Sequence, residues 1–157
     1  MILDSNAKPF RALDSFNVAV AKPTAFTGSA NERGDKDGTN VSFALFTVTG
    51  DVLLRIYGVC TTDLASTTGT VALGITGNTA LFIAATTATA IDQNEIWNDT
   101  SPAIGDTLAS IPGPFVIPNG VDIVETVATA DVTGGNIYYV CLWRPLSNDA
   151  DVVPVVS

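Results

Sequence analysis

Residues 136–147 read NIYYVCLWRPLS, and this segment decides the fold. In an extended chain successive side chains point to opposite faces, so Ile137, Tyr139, Cys141 and Trp143 share one face while Tyr138, Val140, Leu142 and Arg144 share the other. Neither face is polar before Arg144. A strand of a sheet with one wet side alternates apolar and polar residues, so this one needs cover on both sides. Either it is central enough to be covered twice within its own chain, or one face lines a core and the other meets a neighbouring subunit. The second reading makes Tyr138, Val140 and Leu142 the subunit-interface candidates.

Outward from this segment the same period of two dominates, and no window of a dozen residues holds an apolar face at helical spacing. Strands are expected at 15–21, 41–48, 52–60, 70–76, 79–84, 115–117, 121–128, 137–144 and near 152–155. Residues that tolerate positive φ stand between them: ThrGly before Asp51, ThrGlyAsn at 76–78, ProAsnGly at 118–120 and ThrGlyGly at 133–135. A helical turn is expected at 92–97, capped by Asp92 with Glu95 three places on, seating Trp97 as a plug over one end. Short strands with long irregular connections at 22–40 and 98–114 predict an all-β, two-sheet antiparallel sandwich of jelly-roll type with about eight strands, a β-barrel being the alternative. No fixed-period repeat points to a solenoid or propeller.

A chain of 157 residues is one domain by length, and a domain of this size buries about 68–70% of its unfolded surface, so it needs no metal or disulfide staple. The expected division is an extended N-terminal arm over 1–14 and a single sandwich domain over 15–157. Charged residues are 15% of the chain, against about 25% in a typical soluble domain. Much of the surface is therefore uncharged. The net charge of −9 is unevenly placed. Residues 1–36 hold five bases (Lys8, Arg11, Lys22, Arg33, Lys36), whereas Arg55 and Arg144 are the only bases after them. A body this acidic repels a phosphate backbone, so no nucleic acid is expected as a partner. The uncharged stretch 64–91 is interrupted by Gly74, Gly77 and Asn78, too often for a spanning helix, and the first sixteen residues lack the pattern of a signal peptide. The sequence predicts a soluble chain with no membrane partner, made in a cytoplasm. Cys60 and Cys141 each fall in an apolar segment and read as buried free thiols, with a bridge between them as the alternative.

There is no histidine, which removes the Ser-His-Asp triad and imidazole metal sites. Two carboxylates suffice for a glycosidase, but Asp122 and Glu125 fall on opposite faces of a strand, and Asp92 with Glu95 reads as a cap. AspLysAspGlyThrAsn at 35–40 places its glycine at the fourth rather than the sixth position of a calcium loop, and reads as a solvated turn. The overlapping ArgGlyAsp at 33–35 is an adhesion tripeptide in some proteins and a chance match in most. No catalytic residue, metal or cofactor is expected.

The order TVTGDVLLRIYGV (47–59), GTVALGITGNTALFIAA (69–85), DQNEIW (92–97) and TGGNIYYVCLWRPLS (133–147) resembles small structural proteins of tailed bacteriophages. The resemblance covers roughly residues 40–150 and is one of pattern and composition. It implies an all-β protein, often a jelly roll and usually a homotrimer, on the outside of a phage head as a decoration or cement subunit, or elsewhere on the virion as a fibre or tail component. The major capsid protein is then its partner, and no catalytic residues are carried over. On this reading Lys8 and Arg11 in the arm are the capsid-docking candidates, the alternative being that the arm adds an edge strand to its own domain. The competing function is a carbohydrate-binding module at a tail tip or spike. Trp97, Asn98 and Asp99, an aromatic ring beside amide and carboxylate groups, are the glycan-contact candidates for it.

Overall fold

The structure is a computed structural model that describes residues 16–38 and 41–155. Ten strands run in chain order as β1 (Asn17–Ala21), β2 (Ser42–Thr49), β3 (Val52–Ser66), β4 (Thr70–Ile75), β5 (Asn78–Thr87), β6 (Ile96–Trp97), β7 (Phe115–Ile117), β8 (Ile123–Ala128), β9 (Val132–Pro145) and β10 (Asp151–Pro154). The pairing is that of one long hairpin rolled up. Its tip is β4 against β5; working back from there, β3 pairs with β7, β2 with β8 and β1 with β9, all antiparallel. Rolling brings β9 onto the free edge of β3 and β8 onto that of β4. Sheet A therefore has the order β1-β9-β3, with β6 and β7 both on the far edge of β3, and sheet B has the order β10-β2-β8-β4-β5. This is a jelly roll.

Most expected strands form within a few residues of their anticipated limits, and three local differences have physical causes. Residues 92–97 make a turn rather than a helix: the Asp92 N–H donates to the Glu95 carboxylate at 2.9 Å as the capping pattern requires, but Asn94 turns to φ +71° and Ile96–Trp97 then pair with β3. Gly50, Gly77 and Gly120 take positive φ at the expected turns. ThrGlyGly at 133–135 lies instead inside β9, where Gly135 at φ +93° stands opposite a bulge formed by Asp63 and Leu64 of β3. Both long strands thus run on past their apolar parts through Thr- and Gly-rich tails that pair with each other.

The core lies between the sheets. Sheet A contributes Leu54, Ile56, Ile137, Tyr139 and Cys141, and sheet B contributes Leu45, Val71, Leu73, Ile123 and Val127, all buried. Trp97 is also wholly buried, its ring edge-on to Tyr139 with centroids 6.3 Å apart and its indole N–H donating to Thr86 Oγ1 at 3.0 Å. It sits within the core rather than over one end.

One charged pair crosses this core. Arg33, on the connection between β1 and β2, reaches Glu125 on β8 and donates to both carboxylate oxygens, at 2.9 and 2.6 Å. Its remaining N–H groups go to the Thr24 and Ile137 carbonyls and to Asn136 Oδ1, so all five donors are used. The Phe26 ring lies 3.8 Å from the guanidinium carbon, and the Tyr139 hydroxyl donates to Glu125. Burial alone would lower the Arg33 pKa, but the charge and hydrogen bonds of Glu125 outweigh it and the net shift is upward. Burial, reinforced by the Glu125 charge, pushes the Tyr139 phenol well above its ordinary value. The network ties a connecting loop to both sheets.

Cys60 and Cys141 are buried free thiols. Cys60 lies opposite Ile137 and Cys141 opposite Ile56, four residues apart along paired strands. That is about 13 Å at the rise of a strand, beyond the roughly 7 Å that a bridge tolerates between Cα atoms. Burial pushes Cys60 up to about 11 and Cys141 up to about 12, so little thiolate forms near neutral pH. Alkylation without reductant is expected to label both cysteines once the chain is denatured and neither at a comparable rate when native. Recovery of the denatured protein with no labelled thiol would contradict the register.

Candidate interaction surface

The two sheets differ on their outer faces. Sheet B turns out small and polar residues, with Ser42 beside Thr126, Thr126 beside Ala72 and Ala128 beside Thr70 across the ladder. Sheet A turns out bulky apolar ones. Its register sets Val18 beside Leu142 and Leu142 beside Arg55, then Val20 beside Val140 and Val140 beside Tyr57, with Tyr138 beside Val59 and Arg144 beside Leu53. Strict alternation in β3 and β9 puts these side chains outside because their neighbours fill the core.

The connection 98–114 covers part of this face. Arg55 donates to the Ile111 carbonyl, and Leu108 and Ile111 border a hollow of about 170 Å³ above Tyr57 and Leu142. The rest is open. Val18 is 62% exposed and Val116 66%. Val18, Val20, Tyr138 and Val140 floor a groove of about 670 Å³ whose rim holds Lys22, Thr61 and Asn136. The two apolar faces of β9 thus have different covers: the opposite sheet on one side, and on the other a loop that reaches across only part of it.

The basic residues gather on the same face. Of the five among the described residues, Arg33 is spent in the core and Lys36 pairs with Asp37. The other three, Lys22, Arg55 and Arg144, all lie on the outer side of sheet A, bordering its groove and a second hollow of about 540 Å³. None of them is in an ion pair among the described residues. Arg144 stacks its guanidinium 4.2 Å from the Phe16 ring, and its Nε is a buried donor without a hydrogen-bond partner among the described residues. Such a group is costly unless something else supplies an acceptor.

Tyr138, Val140 and Leu142 stand together on this face, half-buried, on β9. Lys8 and Arg11 lie outside the described residues. The glycan candidates are corrected by burial: Trp97 has no exposed ring face and Asn98 is 1% exposed, donating to Asp106 at 2.6 Å, which leaves Asp99 alone at the surface. A sugar has no ring to stack on there. ArgGlyAsp at 33–35 is likewise closed, because Arg33 is in the core and the Asp35 carboxylate accepts the N–H groups of Asn31 and Asp37. Those bonds hold Asp35 below its usual pKa, as in a tight turn. Among the described residues no three metal-ligating side chains converge. The basic residues of the face were not anticipated; Arg144 alone carried a signal, as the first polar residue of an otherwise apolar face.

Fold and surface together define a class: a jelly-roll sandwich whose sheet B outer face is mostly small and polar and whose sheet A outer face is apolar and bears bases. No protein-family model, curated protein or solved structure matches the chain.

Proposed function

We propose that this protein is a non-enzymatic structural subunit of a virion, a decoration or cement protein that self-associates, as a trimer, and seats on the outer surface of a phage head with the major capsid protein as its partner. The observation that carries this reading is the outer face of sheet A, whose apolar side chains extend over β1, β9 and β3 and are covered in part, among the described residues, by the connection 98–114. Contiguous exposed apolar surface on a soluble domain marks an interaction site. The occupant is a second copy of the chain. It carries a net charge of −9, and so offers carboxylates to Lys22, Arg55 and Arg144, which are in no ion pair among the described residues. The resemblance of the sequence to phage structural proteins gives the particle, and synthesis in the bacterial cytoplasm with assembly onto the head follows from it.

Sedimentation velocity at micromolar concentration is the test. The full chain is expected to run as a trimer, and Val140→Glu, which plants a charge in the middle of the face, is expected to run as a folded monomer. An unmodified protein that is monomeric at that concentration would sink the reading.

A further inference from the structure

Lys22, Arg55 and Arg144 frame the apolar face rather than scatter over it. Lys22 follows the end of β1 beside the groove, Arg144 lies at the other end near Phe16, and Arg55 stands between them on β3. One group of acidic side chains lies at the end of the sandwich next to Arg144. The turn between β2 and β3, the turn before β8 and the segment between β9 and β10 meet at one end of the sandwich. The Asn119 N–H donates to the Asp51 carboxylate at 3.0 Å, the Asp51 N–H to Ser147 Oγ at 2.9 Å, and Ser147 Oγ to Asp149 at 2.7 Å. Asp151 follows, paired with Thr49 at the edge of sheet B. These turns bear Asp51, Asp122, Asp149 and Asp151 and no base. None of the four is in an ion pair among the described residues.

The geometry points to a head-to-side contact between copies: the acidic end of one subunit, where Asp51, Asp149 and Asp151 lie, packs on the outer face of sheet A of the next. This rests on the self-association proposed above and specifies which surface of the second copy is used. Two observations select it over a face-to-face contact. Copies meeting face to face across a two-fold axis would set three bases against three more, and like charges across an interface cost binding. An acidic end instead brings carboxylates to Lys22 and Arg144, neither of which is in an ion pair among the described residues. The contact joins two different patches, so it is heterologous, and it closes into a ring when the rotation between subunits permits.

Charge reversal in the full chain separates the alternatives. Lys22→Glu/Arg144→Glu and Asp149→Lys/Asp151→Lys are each expected to weaken self-association at least about tenfold, and the chain carrying all four changes to recover it. Circular dichroism and thermal unfolding of each variant confirm that the fold is kept, the changed residues being outside the core. Raised salt is expected to weaken the unmodified oligomer and strengthen neither two-site variant beyond it. If Val140→Glu dissociates the oligomer while Asp149→Lys/Asp151→Lys leaves it intact, the face is the interface but the acidic end is not its occupant, and the inference fails alone. Failure of the four-site chain to recover association overturns it too. An unmodified chain that is monomeric removes both this contact and the reading beneath it.

Discussion

Replacing Glu125 by leucine is expected to destabilise the fold by about 3–5 kcal/mol, the cost of leaving one member of a buried ion pair without the other. The side chains of Arg33 and Glu125 are each 1% exposed, so water cannot replace the lost carboxylate. Two of the five guanidinium N–H groups, and the Tyr139 hydroxyl as well, would lose their acceptor. The pair itself contributes far less than that figure, because desolvating two charges offsets most of their attraction. Arg33→Met/Glu125→Leu should therefore be closer to the unmodified protein than Glu125→Leu is. Urea unfolding of the two single variants and the double variant gives the coupling directly. A Glu125→Leu midpoint within the error of the unmodified protein would mean that the pair is not buried as described.

Trp97→Ala is expected to cost about 3–5 kcal/mol, as large-to-small changes of buried aromatics do. The indole is fully enclosed, meets Tyr139 edge-on, and lies against Gly58, where a Cβ would come within 3.2 Å of the ring. Its removal opens a cavity between the sheets and leaves the Thr86 hydroxyl without its donor. Trp97→Phe keeps part of the volume and loses the N–H, so it should fall between. Equal stabilities for the alanine and phenylalanine variants in thermal unfolding would contradict a packed indole.

The fold was legible wherever apolar residues alternate. That held for β2, β8 and the middle of β3 and β9, because a period of two with one face committed to the core admits few other structures. It failed where pairing is carried by backbone alone. The tails of β3 and β9, from Thr61 to Ser66 and from Val132 to Asn136, hold Thr, Gly and Ala with little apolar signal, yet they pair because the strands before them are already in register. β6 is two residues long, and its neighbours Asp92 and Glu95 do form the expected side-chain contact, which disguised a turn as a helix. The interface candidates Tyr138, Val140 and Leu142 could be read from their own strand. Arg33 could not, since its partner is 92 positions away and nothing local distinguishes it from a solvated loop residue. Trp97 reads from the sequence as a plug over one end or, on the alternative, as a sugar platform beside Asn98 and Asp99, and only its bond to Thr86 shows that the ring turns into the core.

The rolled-hairpin order also governs when the protein can become itself during synthesis. β1 leaves the ribosome before the other nine strands, and its ladder partner β9 after all of them but β10. The same holds for β2 and β8, so neither sheet can be assembled from the first half of the chain. Such non-local pairing is slow, on the scale of milliseconds to seconds, because loop closure precedes any gain from contact. Until β9 arrives, β3 has no partner along the edge it will share with it, and its apolar side chains stay exposed in the nascent chain. The sheets therefore close only after β9 has been made, and a nascent β3 risks meeting the β9 of another copy before its own.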